Sequence, residues 1–321
     1  MNITVIGSGR WGSFIAWYLE SIGHSITLYG RPSSESFKRL ADTKTNGTVT
    51  FGDGTRFLTD LKSALKDADT VVISINSQGL RSLMQELCAF DVKGKTFVLC
   101  MKGLEIGSGL RLSQIAAQYL GENAKIAVWV GPGHVQEFIS GVPNCMVIDS
   151  EDPDTVRWLI DEFSSELIRF YYGSDLIGSE IGAAAKNVIG IAAGVLDGLG
   201  LSSLKGALMS RGTREIARLI SALGGNELSA YGLCHLGDYE ATLFSEHSHN
   251  RMYGQMLVSG KRYTQLAEGY YTAKAITELA AAKGVDVPIC RAVYDVLYNG
   301  AEPSKAVNDL FLRELKNEFY H

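Results

Sequence analysis

The sequence lacks the features that mark several classes of protein. Its 321 residues include only six prolines, and we find no internal repeat or low-complexity run. Basic residues do not exceed acidic ones, since the net charge is −5 and the isoelectric point is near 5.7. This balance argues against a dedicated nucleic-acid-binding protein. The chain opens on MNITVIG, without the charged leader of a secretory signal, so we expect a cytoplasmic protein.

Cysteine is present, but not in a pattern that builds a site. The five cysteines form no Cys-x-x-Cys pair and no cluster with histidine that would bind a metal. An odd number of cysteines also fits poorly with a disulfide framework. We therefore predict reduced thiols and no metal centre. The cysteines are Cys88, Cys100, Cys145, Cys234 and Cys290.

The order of apolar patterns predicts two domains. Strand and helix patterns alternate up to about residue 172, which predicts an α/β, Rossmann-like doubly wound sheet. The remainder is helical by periodicity. We therefore expect a dinucleotide-binding domain over residues 1–173 and an all-α substrate and catalytic domain over residues 174–321.

Several local structures are also predicted. They are a hairpin within residues 48–59 around Asp53-Gly54, a helix cap at Ser174, and helices over 262–268 and 303–318.

The first βαβ unit carries a glycine-rich turn, GSGRWG, at residues 7–12. The pattern G-x-G-x-x-G between a strand and a helix is typical of dinucleotide binding. Gly7 permits the tight turn, Gly9 lets a pyrophosphate approach the backbone, and Gly12 lets the helix pack on the strand. The partial positive charge at the helix N-terminus favours the phosphates. The alternative is an ordinary glycine turn without a ligand.

No acidic residue follows the second predicted strand. An NAD-specific site usually places an acid there to bind the ribose 2′-hydroxyl, but the sequence reads Tyr29-Gly30-Arg31. Arg31 would either bind the 2′-phosphate of NADP or be an exposed loop arginine. We therefore expect NADP or NAD as the cofactor, with NADP slightly favoured.

Residues 181–200 are rich in glycine and fall largely within a helix predicted over about residues 175–197. Positions in one row on its face recur every four residues, and each helical glycine costs about 1 kcal/mol relative to alanine. Something must therefore approach that backbone closely. Three interpretations are open. The helix is a packed core element whose lysine extends to the surface, or it is a membrane span, although Lys186 and Asn187 near its centre argue against that. In the third, it carries a catalytic lysine that faces a ligand across a trough floored by glycines. The row is Gly178, Gly182, Lys186, Gly190 and Gly194.

Two further motifs follow predicted strands directly. KGLE at 102–105 follows the strand over 96–101, and GPGHVQE at 131–137 follows the strand over 126–130. In an open α/β sheet, ligands bind at the carboxyl ends of the strands. Lys102 is therefore placed to meet a ligand.

Taken together, these residues resemble the NAD(P)-dependent glycerol-3-phosphate dehydrogenases of bacterial type, over nearly the whole chain. The resemblance implies interconversion of dihydroxyacetone phosphate and sn-glycerol 3-phosphate by hydride transfer with NAD(P)H, feeding glycerophospholipid synthesis. It also implies a homodimer that binds a phosphorylated triose or glycerol, with no nucleic acid and no stable membrane insertion. The blocks that carry it are GSGRWG (7–12), KGLE (102–105), GPGHVQE (131–137), AAAKNVIGIAAGVLDGLG (183–200), GD (237–238), HNR (249–251) and AEGY (267–270).

The resemblance assigns roles to individual residues. Lys186 would exchange a proton with the carbonyl oxygen, Lys102 would contact substrate and nicotinamide, and Asp238 would orient Lys186. A free lysine titrates near 10.4, so burial or a second cation would have to lower the pKa of Lys186. The cofactor-binding residues predicted from the turn and the resemblance are Gly7, Gly9, Arg10, Trp11, Gly12, Arg31, Lys102, Val135 and Glu268. The substrate-binding residues are Lys102, Gly131, Gly133, Lys186, Asn187, Asp238, Thr242, Ser248, His249 and Asn250.

Some positions depart from the family. His249 stands where an arginine is usual, and it offers at most one charge in place of a bidentate fork. Arg251 would substitute only from about 100° around the helix. Gly133 replaces a serine or threonine, and Arg10 replaces a serine. The alternatives are a related dehydrogenase for another small 2-keto or 2-hydroxy compound, and a protein that senses NAD(P) without turnover.

Overall fold

A computed structural model gives the fold and describes residues 1–315, 317 and 318. Within these residues, eight strands form one sheet in the order β3-β2-β1-β4-β5-β6-β7-β8. The strands are β1 (Asn2–Ile6), β2 (Ser25–Tyr29), β3 (Arg56–Leu58), β4 (Thr70–Ile73), β5 (Thr96–Leu99), β6 (Lys125–Val130), β7 (Asn144–Ser150) and β8 (Ile168–Tyr172). The α-helices are α1 (Arg10–Ser21), α2 (Glu35–Thr43), α3 (Leu61–Leu65), α4 (Leu80–Leu87), α5 (Leu112–Leu120), α6 (Val135–Ile139), α7 (Pro153–Phe163), α8 (Leu176–Gly198), α9 (Lys205–Ala222), α10 (His249–Val258), α11 (Glu268–Ala282), α12 (Pro288–Tyr298) and α13 (Pro303–Phe311).

The central strands are apolar on both faces because helices cover both sides of the sheet. Every residue of β4 and β5 is buried, as expected for parallel strands inside an α/β layer. Successive residues serve opposite cores: Val5 packs in one cluster and Ile6 in the other. The predicted doubly wound sheet is confirmed. Its strand order reverses beside β1, where β4 follows on the side opposite β2, and this opens a crevice at the carboxyl ends.

Helix α8 is the axis of the helical part. Its 23 residues are long and apolar enough to cross a membrane, but 83% of its most apolar stretch is buried inside the protein. Helices α9 to α12 pack around it in a separate hydrophobic core. This placement is typical of the core helix of a soluble protein, so the membrane reading is not supported.

The glycine row of α8 is covered by the chain itself. A Cβ at Gly182 would lie 3.1 Å from the Cβ of His235, and one at Gly190 would lie 2.7 Å from Thr242. At Gly194 it would lie 1.9 Å from the carbonyl oxygen of Arg251 in α10. The expected close approach is therefore present, but protein occupies the row, and the predicted glycine floor beneath a ligand is wrong.

Four local predictions need correction. The predicted hairpin is wrong, because Arg56–Leu58 pairs in parallel with β2 and the nearby antiparallel bridge joins Thr45 to Thr50. Alternation marked a strand but could not identify its partner. The cap of α8 is Asp175 rather than Ser174. Residues 261–267 form no helix, since this segment carries Tyr263 across to α10. The last helix ends at Phe311; position 316 of that prediction and positions 319–321 of the predicted domain lie outside the described residues.

Candidate active site

The glycine-rich turn opens the crevice between β1 and β4. Gly7 has a φ of +114°, and a Cβ there would lie 2.1 Å from the carbonyl oxygen of Ser74. A Cβ at Gly12 would lie 2.0 Å from the carbonyl oxygen of Gly7, whereas one at Gly9 would meet no atom within 4 Å. Gly9 therefore leaves open space outside the turn. Helix α1 begins at the next residue, and the N–H groups of its first turn have no partners within the helix. This cradle fits the pyrophosphate of NAD(P).

Other residues predicted to bind the cofactor surround this turn. Arg31 is exposed just beyond the end of β2. Arg10 is exposed and donates a hydrogen bond to the side-chain carbonyl of Gln136. Trp11 is partly buried, with its ring 5.2 Å from that of Phe14.

The predicted cofactor residues farther along the chain lie on two helices. Val135 is buried at the start of α6. Glu268 begins α11 and accepts hydrogen bonds from the amide and hydroxyl of Ser77, at 3.1 and 2.5 Å. Burial raises the pKa of Glu268. The Glu268 carboxylate therefore binds the loop after β4. Ser77 was not identified as a site residue from the sequence, because no motif distinguishes it.

The three side chains predicted to be catalytic meet at one carboxylate oxygen. Oδ2 of Asp238 lies 2.5 Å from Nζ of Lys102 and 3.0 Å from Nζ of Lys186. Asp238 is 1% exposed. Lys102 also donates to the carbonyl of Gly131 at 2.7 Å, as it leaves the carboxyl end of β5. Two ammonium groups thus flank one buried anion at the edge of the sheet.

Thr242 completes the environment of the Lys186 amine. Its hydroxyl accepts from Nζ of Lys186 at 2.8 Å and donates to the backbone carbonyl of Asp238 at 2.7 Å. Burial, opposed by Asp238 and reinforced by the charge of Lys102, brings the pKa of Lys186 down to about 8. An amine with this pKa can take up and release a proton near neutrality.

Asn187 and Asn250 tie the neighbouring elements together. The Asn187 amide donates to the backbone carbonyl of Lys102 at 3.0 Å, and the Asn250 amide donates to Oδ1 of Asn187 at 3.0 Å. The carbonyl of Asn250 accepts from the amide of Gly269 at 2.9 Å. Each side-chain amide keeps a second N–H for another acceptor. Both residues therefore position Lys102 and retain the capacity to donate to a ligand.

At the wall expected to hold a phosphate, His249 and Arg251 both contact other side chains. Burial and the nearby charge of Arg10 lower the pKa of His249, whose Nδ1 lies 2.5 Å from the hydroxyl of Tyr263. The ring is therefore neutral near pH 7. Arg251 does not replace it, because its Nε is bound to the buried Asp197 at 2.5 Å.

Two smaller residues on this side have structural contacts. A Cβ at Gly133 would lie 2.4 Å from the ring of Phe138, so a serine or threonine there would require that ring to move. The hydroxyl of Ser248 caps α10 by accepting from the amide of Arg251 at 3.3 Å. Among the described residues, no group of three or more His, Cys, Asp or Glu side chains could hold a metal ion.

Matches to family models and to named proteins indicate one family. Residues 2–156 match the model of the NAD-dependent glycerol-3-phosphate dehydrogenase N-terminus, and residues 175–308 match that of the C-terminus. Glycerol-3-phosphate dehydrogenase [NAD(P)+] of Prosthecochloris aestuarii is 36% identical, with 99% of this chain and 100% of that protein covered. The Geobacillus kaustophilus protein of the same name is 37% identical over 99% and 96%. The crystal structure of glycerol-3-phosphate dehydrogenase from Coxiella burnetii superposes with a TM-score of 0.91 at 26% identity, over 97% of this chain and 99% of that one.

Proposed function

We propose, from the premise that this chain belongs to the NAD-dependent glycerol-3-phosphate dehydrogenase family, that it interconverts dihydroxyacetone phosphate and sn-glycerol 3-phosphate with NAD(P)H. The observation that carries the proposal is the pair of lysines, Lys102 and Lys186, on one oxygen of Asp238 at the carboxyl edge of the sheet. The product would supply the glycerol backbone of phospholipids. The resemblance names NADP or NAD, and the open turn at Gly9 fits either.

The residues divide the work of reducing a carbonyl group. NAD(P)H, when bound, supplies the hydride to the carbonyl carbon. Lys186 then gives its proton to the oxygen, which leaves an alcohol and a neutral amine, and in the reverse direction the neutral amine takes the proton back. Lys102 adds a positive charge that stabilises the developing alkoxide. Asp238 holds both amines in place and keeps Lys186 protonated at neutral pH.

The phosphate end is the basis of a second candidate, a related dehydrogenase for a different small 2-keto or 2-hydroxy compound. The observation that favours it is the neutral His249 bound to Tyr263. Against it, Arg10 contributes a positive charge close enough to affect His249, and Asn250 retains a donor. The family match favours the phosphorylated substrate.

Further parts of the proposal concern the organisation of the protein. We place the dinucleotide-binding domain at residues 1–173 and the substrate domain at 174–321, because β8 ends at Tyr172 and α8 begins at Leu176. The family resemblance supports a homodimer, and the unpaired pattern of the five cysteines supports a cytoplasmic location. Sedimentation of the purified protein tests the first, and fractionation of the source cells tests the second.

The direct test is oxidation of NADPH by purified protein given dihydroxyacetone phosphate. Lys186→Met should lower kcat by about 10²–10⁴, the usual contribution of general acid catalysis. Lys205→Met is the matched control, because Lys205 is also buried and ion-paired, to Asp197 at 2.8 Å. It should lose stability while keeping kcat within a few-fold. No turnover of dihydroxyacetone phosphate, together with turnover of a different small 2-keto compound, would favour the second candidate.

A further inference from the structure

A buried histidine and tyrosine flank Asp238 and have no part in the chemistry described above. His235 and Tyr239 are both completely buried. Nδ1 of His235 lies 2.8 Å from the backbone carbonyl of Gly182, and its Nε2 lies 2.6 Å from the hydroxyl of Tyr239. Gly182 is one helical turn before Lys186 in α8. The two side chains therefore connect the segment that carries Asp238 to the backbone that carries Lys186.

The direction of each hydrogen bond follows from the chemistry of the groups. A carbonyl oxygen only accepts, so Nδ1 of His235 carries the proton and donates to Gly182. Burial lowers the pKa of His235 to about 4, so the ring is neutral at ordinary pH and Nε2 is an acceptor. The hydroxyl of Tyr239 must then donate to Nε2. This tautomer is fixed at both ends, which also fixes the plane of the ring.

The chain geometry carries this constraint to Asp238. A short 3₁₀ helix, Leu236–Asp238, begins directly after His235, and the amide of Asp238 donates to the carbonyl of His235 at 3.1 Å. Tyr239 follows at once, and its own carbonyl accepts from the amide of Thr242 at 3.0 Å. Thr242 in turn bonds the Lys186 amine. Both polar partners of Lys186 in this segment are thus held by the backbone of the histidine–tyrosine pair.

The pair is closely packed against two glycines. A Cβ at Gly182 would lie 3.1 Å from the Cβ of His235, and one at Gly212 in α9 would lie 3.3 Å from the hydroxyl of Tyr239. The two glycines therefore admit the pair between α8 and α9. For Gly182, this contact explains why the row in α8 has a glycine at that position, which the sequence pattern left open.

We propose that His235 and Tyr239 are positioning residues that hold the Asp238 carboxylate against the Lys186 amine. The expected effect on the rate of carbonyl reduction rests on the proposed function. The expected effect on the protonation of Lys186 rests on the structure alone. Among the described residues, the charged groups facing Lys186 are Asp238 from the 3₁₀ segment and Lys102 from the loop after β5, with the neutral His235 as a further titratable neighbour. If Asp238 moves away, the remaining cation and the burial both disfavour the ammonium form. Lys186 should then lose its proton at a lower pH.

The test compares two variants, each of which loses one buried tyrosine hydroxyl. Tyr239→Phe removes the donor to His235. Tyr18→Phe is the control, because Tyr18 is equally buried and its hydroxyl donates to the carbonyl of Phe163, the last residue of α7, at 2.5 Å. His235→Leu, which removes both bonds of the ring, should act in the same direction as Tyr239→Phe. Thermal unfolding shows whether each variant folds.

Two readouts decide the outcome. The first is the pH at which kcat for carbonyl reduction falls, and the second is the titration of the Lys186 Nζ by NMR in the free protein, assigned with Lys186→Met. In Tyr239→Phe we expect both to move to lower pH by half a unit or more, while in Tyr18→Phe neither moves. Midpoints that stay in place in Tyr239→Phe, or that move upward, overturn the proposal. A wild-type protein that does not reduce dihydroxyacetone phosphate contradicts the proposed function instead, and the NMR titration still decides the positioning role.

Discussion

Replacing Asp238 by asparagine removes the single anion between the two lysines while preserving the size of the side chain. The loss can be worked from the distance of 3.0 Å between Oδ2 of Asp238 and Nζ of Lys186. At an effective dielectric constant of about 20, two unit charges at this distance attract by about 5.5 kcal/mol. This value is an upper bound, because the carboxylate is shared with Lys102. Opposite charges at such distances shift a pKa by about 1–3 units, at about 1.4 kcal/mol per unit.

The sign of the shift determines the pH dependence. Lys186 must be protonated to donate, so reduction by the wild-type protein should fall as pH rises through about 8, and oxidation of the alcohol should rise over the same range. A pKa lowered by about two units leaves roughly a tenth of the amine protonated at pH 7 instead of about nine-tenths. Asp238→Asn should therefore reduce dihydroxyacetone phosphate about tenfold more slowly at pH 7 and regain much of that loss near pH 5.

The assay is the pH profile of kcat followed through NAD(P)H absorbance, with Asp197→Asn as control. Asp197 also lies between two cations, 2.8 Å from Lys205 and 2.5 Å from Arg251. It belongs to the same helix as Lys186 but lies eleven residues later, about 16 Å along the axis. Asp197→Asn should lower stability and leave the midpoint near pH 8. A midpoint that also stays near pH 8 in Asp238→Asn would refute the electrostatic argument.

Three further predictions test the cofactor, the substrate and the packing. Arg31→Ala should weaken NADPH far more than NADH in fluorescence titrations; equal losses would exclude a 2′-phosphate contact. His249→Arg should lower KM for dihydroxyacetone phosphate by adding a charged fork, and an unchanged or higher KM would mean that the phosphate is held elsewhere. Gly194→Ala, whose Cβ would lie 1.9 Å from the Arg251 carbonyl oxygen, should lower the free energy of unfolding in urea by about 1–3 kcal/mol. Gly206→Ala, with no atom within 4 Å, should raise it by up to about 1 kcal/mol, and equal effects would contradict the packing account.

The features that were predictable depend on local chemistry. The turn at residues 7–12 needs glycines for its own geometry, and Lys102 follows a buried strand whose carboxyl end must face the crevice. The direction of β7 was not predictable: its apolar residues suit either orientation, and only pairing shows that it runs antiparallel to β6.

Long-range partners account for what the sequence could not provide. The glycine row of α8 indicated a close neighbour, but not that the neighbour would be protein. Asp238 was identified only through the family resemblance, since a lone Gly-Asp pair has no distinctive spacing. Helix geometry placed Arg251 about 100° away from His249, but only the structure shows that its charge is paired with Asp197, which lies 54 positions earlier in the chain. Such pairings depend on how the helices cross.

The bond from Lys102 to Asp238 joins a lysine in the loop after β5 to an aspartate of the helical region. Neither half of the chain, expressed alone, would contain the complete set of charges, and a mixture of the two would work only to the extent that they reassociate. A change that separates the two regions would therefore abolish turnover, even if every one of these side chains were still present.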